Sequence, residues 1–159
     1  DCHLMLERPI EMIDRFADAG ADGCTIHVEA AFGDPGPCLA RMRELGLQVG
    51  LAVNPETRLE FALPWIDRID MLLVMSVHPG FGGQKFIHAV LPKLVEAARI
   101  IEERELPVRL QIDGGIDVET APLAFDAGAE ILVAGSSVYS AADRAQAVRD
   151  LLAAACPGH

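Results

Sequence analysis

Six short apolar runs recur along the chain, and this recurrence limits the fold more than any other feature. They lie at 2–6, 24–29, 47–53, 70–77, 108–113 and 130–135. Each run is continuously apolar, which is typical of parallel strands buried on both faces. Amphipathic stretches of helical period separate them, at 9–20, 35–46, 57–66, 84–104, 119–129 and 141–155. This alternation predicts βαβ units, and both a doubly wound sheet and a (β/α)8 barrel satisfy it.

Proline residues set expectations for two of the predicted helices. Pro64 should truncate the helix at 57–66, and Pro92 should kink or divide the helix at 84–104, because proline removes a backbone donor and clashes with the preceding turn. No linker or charge block divides the chain. We therefore expect residues 1–159 to form one domain.

Composition excludes several classes of partner. The 159 residues carry a formal net charge of −11, which disfavours a nucleic-acid partner. No apolar run approaches the roughly 18 to 20 residues of a membrane helix, and no segment resembles an export signal. The four cysteines form no CxxC pair, so we expect reduced thiols and a cytoplasmic location.

A glycine-rich stretch, "MSVHPGFGGQKF" at 75–86, follows the fourth apolar run. Gly80, Gly82 and Gly83 precede a helix that we expect to begin near Gln84. Glycine lets a ligand approach backbone N–H groups, and a helix N-terminus carries partial positive charge, so this stretch suits a phosphate. A structural loop is the alternative. The pattern GxxxxGK[ST] is absent, so a nucleotide P-loop is not indicated.

Two further stretches end predicted strands. In "LVAGSSVYS", Gly135 and Ser136 can bind the same anion through backbone amides, which would let an acidic protein hold a phosphate without Lys or Arg. In "QIDGGI", Asp113 can serve as a metal ligand or as an acid/base group. A turn-forming aspartate is the alternative reading.

Histidines supply the remaining candidates. The chain opens with "DCHLM", in which His3 and Met5 share one face of a predicted strand. A histidine directed into the end of a barrel can ligate a metal, although a lone strand histidine is more often a core residue. His27 in "TIHVEA" and His78 in "SVHPG" are candidates for the same pocket, and for both we favour structural roles.

Taken in order, these motifs resemble the ribulose-phosphate 3-epimerase family over essentially the whole chain. The resemblance rests on "DCHLM", "HVEA", "LAVNPET", "MSVHPGFGGQKF", "QIDGGI" and "LVAGSSVY". It implies a (β/α)8 TIM barrel, a divalent metal (Zn, Fe or Mn) and a sugar-phosphate substrate. It further implies an isomerase of the pentose phosphate pathway that interconverts D-ribulose 5-phosphate and D-xylulose 5-phosphate.

The resemblance also implies roles for individual residues. His3 corresponds to a histidine that binds the metal and contacts substrate, and Asp113 to a metal ligand that is also one of two acid/base carboxylates. Met5 and Met75 correspond to an apolar wall around the reacting carbon. The phosphate-binding segments and the glycines beside them correspond to Gly80, Phe81, Gly82, Gly83, Gly114, Gly115, Gly135 and Ser136.

Epimerisation at C3 explains why these residue types are needed. A proton alpha to the C2 carbonyl is removed and another is returned to the opposite face, which requires one acid/base group on each side of a planar enediolate. A metal on the substrate oxygens stabilises the developing negative charge. Methionine sulfur can border the enediolate without protonating it.

The sequence departs from the family in one respect. The family has two further strands before its His-Leu-Met motif, one with a substrate-contacting Ser and one with a His-x-Asp pair that supplies two metal ligands and the second carboxylate. Neither is present here. We therefore expect an N-terminally incomplete barrel of six βα units, inactive by itself. The alternatives are a sugar-phosphate-binding or self-associating fragment without catalysis, and an epimerase acting on allulose 6-phosphate.

Overall fold

In the part of the protein that the structure describes, six parallel strands form one sheet in the order of the chain. The computed structural model describes residues 1–30 and 34–156. Every predicted run contains a strand, and each pairs in parallel with the next along the sequence. The strands are β1 (Cys2–Leu4), β2 (Gly23–His27), β3 (Gln48–Val53), β4 (Met71–Met75), β5 (Arg109–Asp113) and β6 (Ile131–Val133).

Helices connect the strands, as a parallel sheet requires. The α-helices are α1 (Ile13–Asp18), α2 (Gly36–Glu44), α3 (Leu91–Glu103), α4 (Ala121–Asp126), α5 (Ser136–Tyr139) and α6 (Arg144–Ala155). Short 3-10 helices lie at Pro9–Glu11, Leu59–Phe61, Leu63–Arg68 and His88–Val90. Their alternation with the strands confirms the predicted α/β fold of the barrel type.

Two helix predictions were wrong in detail, and proline explains both. The helix expected from Gln84 begins only at Leu91, with Pro92 in its first turn, where a missing N–H costs nothing. Pro92 therefore marks the start of α3 and does not kink it. The helix expected at 57–66 is replaced by two 3-10 helices, and Pro64 lies in the first turn of the second.

The sheet buries apolar side chains on both faces. One core fills the space between the sheet and the helices and includes Ile26, Leu72 and Leu94. A second, smaller core lies on the concave face and comprises Ala52, Leu73, Met75 and Val77. Burial on both faces is the physical reason for the continuously apolar strands of the sequence.

The described residues contain no disulfide, and no described helix has the length and apolar character needed to cross a membrane. Cys24 and Cys38 are buried, while Cys2 and Cys156 are half-buried. Burial raises the pKa of the Cys24 and Cys38 thiols, which keeps them protonated and unreactive.

Candidate active site

A histidine and an aspartate from distant strands meet on the concave face of the sheet. His3 is the middle residue of β1, and Asp113 is the last residue of β5. His3 Nδ1 lies 3.6 Å from Asp113 Oδ2, and both side chains are largely shielded from solvent. The structure therefore brings together the two residues that the sequence singled out as metal ligands.

The other edge of the His3 ring contacts a second histidine. His3 Nε2 lies 2.8 Å from Nε2 of His27, the last residue of β2. The ring planes are 12° apart with centroids at 4.9 Å, which is the geometry of an in-line N–H···N hydrogen bond. His27 Nδ1 then lies 3.4 Å from Glu29 Oε2. Four side chains thus form one continuous row of contacts, which we call the side-chain row: Asp113, His3, His27 and Glu29.

Glu29, at one end of the side-chain row, is ionised. Burial by itself would raise the pKa of Glu29, but hydrogen bonds from His27, Thr57 and the backbone N–H of Asn54 outweigh burial and lower the pKa from 4.5 to about 2. The Asn54 N–H donates to Glu29 Oε1 at 2.8 Å. A carboxylate held by several donors stays charged and accepts hydrogen bonds only.

Beside His3 and Asp113, a pocket of about 170 Å³ lies at the carboxyl ends of the strands. Every predicted site residue other than His3 lines it: Met5, Met75, Gly80, Phe81, Gly82, Gly83, Asp113, Gly114, Gly115, Gly135 and Ser136. Met75 is buried, whereas Met5 lies just beyond β1 and is 46% exposed, and Phe81 is 86% exposed. The pocket occupies the position where ligands bind in parallel α/β folds.

Gly114 and Gly115 are required by close backbone packing. Both have positive φ, at 124° and 62°. A Cβ on Gly115 would lie 2.5 Å from the backbone nitrogen of Phe86, and one on Gly114 would lie 2.5 Å from a Val77 methyl. Ser76 Oγ fixes this turn by donating to the Gly114 carbonyl at 2.6 Å. The wall of the pocket is therefore backbone, with N–H groups close to any ligand.

The glycine-rich loop at 80–83 is held by a side chain and not by a helix. Gln84 Nε2 donates to the carbonyl oxygens of His78 at 2.6 Å and Phe81 at 2.8 Å. Since residues 84–87 are not helical, the expected helix N-terminus next to this loop was wrong. Helical N–H groups do occur on the other side of the pocket, where Ser136 begins α5.

Two members of this side-chain row go beyond what the sequence motifs indicate. The motifs favour a structural role for His27 and do not single out Glu29. The spacing is the available signal, since His27-Val28-Glu29 places a carboxylate two residues after a strand-terminal histidine. The contact from His3 to His27 has no local signal, because 24 residues separate them in sequence.

The chemistry of His3 and Asp113 fits a divalent cation. An imidazole and a carboxylate suit Zn, Fe and Mn. His3 Nδ1 and Asp113 Oδ2 lie 3.6 Å apart, which is close enough for both atoms to bind one ion. Within residues 1–30 and 34–156, however, no group of three or more His, Cys, Asp or Glu converges on one point. Among the described residues, His3 and Asp113 are therefore two candidate ligands without a third beside them.

Six parallel strands with a glycine-lined pocket at their carboxyl ends place this protein in the (β/α)-barrel class. The model of the family described as "Ribulose-phosphate 3 epimerase family" matches residues 1–139. The chain belongs to that family. Its curated relatives are isomerases, and the match confirms the resemblance read from the motifs.

Two relatives illustrate the extent of the similarity. The chain is 44% identical to ribulose-phosphate 3-epimerase of Bacillus subtilis, over 95% of this chain and 70% of the relative. It is 44% identical to that of Mycobacterium bovis, over 95% of this chain and 66% of the relative. The chain thus spans about two thirds of the length of these curated relatives.

Solved structures support the fold. 3-Hexulose-6-phosphate synthase from Salmonella typhimurium superposes with a TM-score of 0.64 at 22% identity, covering 94% of this chain and 68% of that one. KGPDC from Streptococcus mutans gives a TM-score of 0.70 at 18% identity, covering 91% of this chain and 66% of that one. At these identities the likeness establishes the architecture and not the reaction.

Proposed function

We propose that this chain carries the phosphate site and one acid/base group of an epimerase that interconverts D-ribulose 5-phosphate and D-xylulose 5-phosphate, a reaction of the pentose phosphate pathway. The observation that carries the proposal is the approach of His3 to Asp113 beside the glycine-lined pocket. Membership of the epimerase family supports it.

Backbone amides bind the phosphate in this proposal. The described residues that line the pocket include no Lys or Arg. Gly83, Gly115 and Ser136 line it together, and their N–H groups supply donors without adding charge. Ser136 is the first residue of α5, where N–H groups have no intrahelical partner. This arrangement allows a protein with a net charge of −11 to hold an anion.

Asp113 is the proton-transfer group on one face of the substrate. Its carboxylate accepts the proton from C3, and the C–H electron pair passes into the enediolate formed with the C2 carbonyl. Return of a proton from the opposite face requires a second group, and the described pocket lining holds no second carboxylate. Met75 borders the reacting carbon with an apolar side chain that cannot compete for the proton.

His3 and Asp113 would hold the divalent metal that the family resemblance implies. The metal, when bound, supplies a positive charge that stabilises the negative charge developing on the substrate oxygens. His3 contributes a neutral ring nitrogen and Asp113 a carboxylate oxygen, and their separation of 3.6 Å matches that role. The donor types suit Zn, Fe and Mn alike.

Deuterium exchange tests the reaction more sharply than turnover alone. The chain is incubated in D2O with a divalent metal and each pentulose phosphate in turn, and C3–H is followed by NMR. Interconversion with exchange in both sugars would show a complete epimerase. Exchange in one epimer, with retention, would show a site that has Asp113 as its one base. Absence of exchange in both sugars, with metal present, would contradict the catalytic role of Asp113.

A non-catalytic role is the second candidate, because Asp113 is the one carboxylate among the described pocket residues. Such a protein would bind sugar phosphate without exchange. The outer edges of β1 and β6 are unpaired in the described sheet and support a proposal of self-association, which native mass measurement tests. Unpaired cysteines support a reducing, cytoplasmic compartment.

A further inference from the structure

Both ends of the side-chain row are carboxylates, but they differ in their distance from a ring nitrogen. His27 Nδ1 lies 3.4 Å from Glu29 Oε2, whereas the 3.6 Å between His3 Nδ1 and Asp113 Oδ2 is too long for a hydrogen bond. The order of donors and acceptors therefore follows from the Glu29 end. Glu29 is a carboxylate, so it only accepts hydrogen bonds, and His27 must carry its hydrogen on Nδ1, 3.4 Å away. In a neutral imidazole the other nitrogen is then an acceptor. His27 Nε2 therefore accepts from His3 Nε2–H at 2.8 Å. His3 in turn is left with a lone pair on Nδ1, the nitrogen that faces Asp113.

We propose that His27 and Glu29 are positioning residues that fix the tautomer of His3, so that its Nδ1 lone pair points toward Asp113. Neither residue lines the glycine-rich pocket, and both act through the His3 ring. In metal-binding histidines, one ring nitrogen binds the metal and the other donates a hydrogen bond to a neighbouring group. That hydrogen bond fixes the tautomer and the orientation of the ring. The proposal rests on the proposed function only for its consequence, the binding of a cation.

Burial makes the arrangement rigid. His27 is 5% exposed, and its ring is nearly parallel to that of His3. The Asn54 N–H holds the second oxygen of Glu29, which prevents the carboxylate from turning away. Lys93 fixes Asn54 in place by donating to the carbonyl oxygens of Asn54 at 2.8 Å and Pro55 at 3.0 Å. A histidine free in water prefers the Nε2–H form. Finding His27 in the Nδ1–H form would therefore identify its contact with Glu29.

The chain contains a matched control pair. His78 Nδ1 lies 3.3 Å from Glu56 Oε1, but both side chains are more than half exposed and the described contacts do not connect them to His3. Glu56→Gln therefore removes the same kind of histidine–glutamate contact and leaves the side-chain row from Glu29 to Asp113 unchanged.

The direct test is the ring nitrogen spectrum of the 15N-labelled, metal-free protein at pH 8. We expect His27 as the Nδ1–H form and His3 as the Nε2–H form. In Glu29→Gln the amide oxygen stays with the Asn54 N–H, so its NH2 faces His27 Nδ1. Both rings should then reverse, with His27 as Nε2–H and His3 as Nδ1–H. Glu56→Gln should leave both rings unchanged. His27 as Nε2–H in the unmodified protein, or unchanged rings in Glu29→Gln, would overturn the proposal.

Variants of His27 separate positioning from simple packing. In His27→Gln, the amide oxygen can accept from His3 Nε2–H and the NH2 can donate to Glu29, which restores the same order. His27→Leu fills similar volume without either contact. We expect Zn2+ affinity to fall 10- to 100-fold in His27→Leu and Glu29→Gln, and to stay within about threefold in His27→Gln and Glu56→Gln. Equal losses in His27→Gln and His27→Leu would contradict positioning.

The two measurements fail independently. The nitrogen spectrum requires neither metal nor substrate, so it reports the tautomers even if the protein does not catalyse epimerisation. If the nitrogen spectrum shows the expected tautomers but the protein does not bind Zn2+, the result would count against the metal site and would still support the positioning role. Reversed tautomers with normal exchange at C3 would count against the positioning role alone.

Discussion

His3 Nδ1 on β1 and Asp113 Oδ2 on β5 lie 3.6 Å apart, although three strands separate them in the sheet. Neighbouring strands are about 4.8 Å apart, so a flat sheet would hold β1 and β5 about 19 Å from each other. The sheet must therefore curl strongly toward its concave face. This curvature brings the two side chains together, because neither strand by itself carries both.

Asp113→Asn tests the acid/base group. An amide cannot accept the C3 proton, so we expect exchange at C3 to fall by about 10²- to 10⁴-fold. Stability should change little, since the Asp113 side chain is partly exposed and, within the described residues, its carboxylate accepts no backbone hydrogen bond. Asp126→Asn, on the exposed face of α4, is the control. Unchanged exchange in Asp113→Asn would refute the assignment.

Gly115→Ala tests the backbone wall of the pocket. The new Cβ would lie 2.5 Å from the Phe86 nitrogen at a φ of 62°, so both strain and a clash oppose it. We expect the free energy of unfolding to fall by about 1 to 3 kcal/mol. Gly82→Ala is the control for folding, because its Cβ would meet no atom within 4 Å. Urea titration measures both, and equal stability of the two variants would disprove the packing argument.

Glu29→Gln should reveal a pH-dependent contribution to stability. The pKa of Glu29 falls from 4.5 to about 2 on folding, so the carboxylate stabilises the native state above about pH 4.5, and this stabilisation is lost as the pH falls toward 2. We expect Glu29→Gln to be less stable by about 1 to 3 kcal/mol at pH 7, allowing for partial exposure. The difference should shrink between pH 4.5 and 2.

Urea unfolding at several pH values provides this measurement, with Glu56→Gln as the control. Glu56 contacts His78 at an exposed position and interacts with Lys93 through its charge alone, so its loss should cost less than about 1 kcal/mol. A stability difference for Glu29→Gln that grows on acidification would have the wrong sign and would contradict the ionised, hydrogen-bonded state of Glu29.

Lys93→Met tests the hydrogen bonds that Lys93 donates to the backbone at Asn54 and Pro55. Lys93 is partly buried, which lowers the pKa of its ammonium group, and it donates to two carbonyl oxygens that follow β3. The methionine keeps the volume and leaves those carbonyls without this donor, so we expect a loss of about 1 to 3 kcal/mol. Lys85→Met, at an exposed position, should be neutral. Thermal unfolding compares them, and equal midpoints would argue against a stabilising role of these hydrogen bonds.

The motifs locate most of the pocket without tertiary information, because each follows a buried strand. The carboxyl ends of parallel strands meet at one edge, so "SVHPGFGGQ", "QIDGGI" and "AGSS" have to lie close together. The helix predicted at 84–104 was misplaced at its start, because the apolar period continues through residues that Pro92 excludes from the helix interior. Local periodicity does not register that exclusion.

The sequence by itself determined the parallel strands and the glycine-rich loops, and it picked out His3 and Asp113 as candidate site residues, since continuous apolar runs and strand-end motifs are local properties. Only the tertiary structure decided that His3 stands between Asp113 and His27, with Glu29 beyond. That order depends on the curl of the sheet and on ring orientations. Both are set by packing between strands whose contacting residues are 24 and 110 positions apart in the chain, which no local pattern encodes.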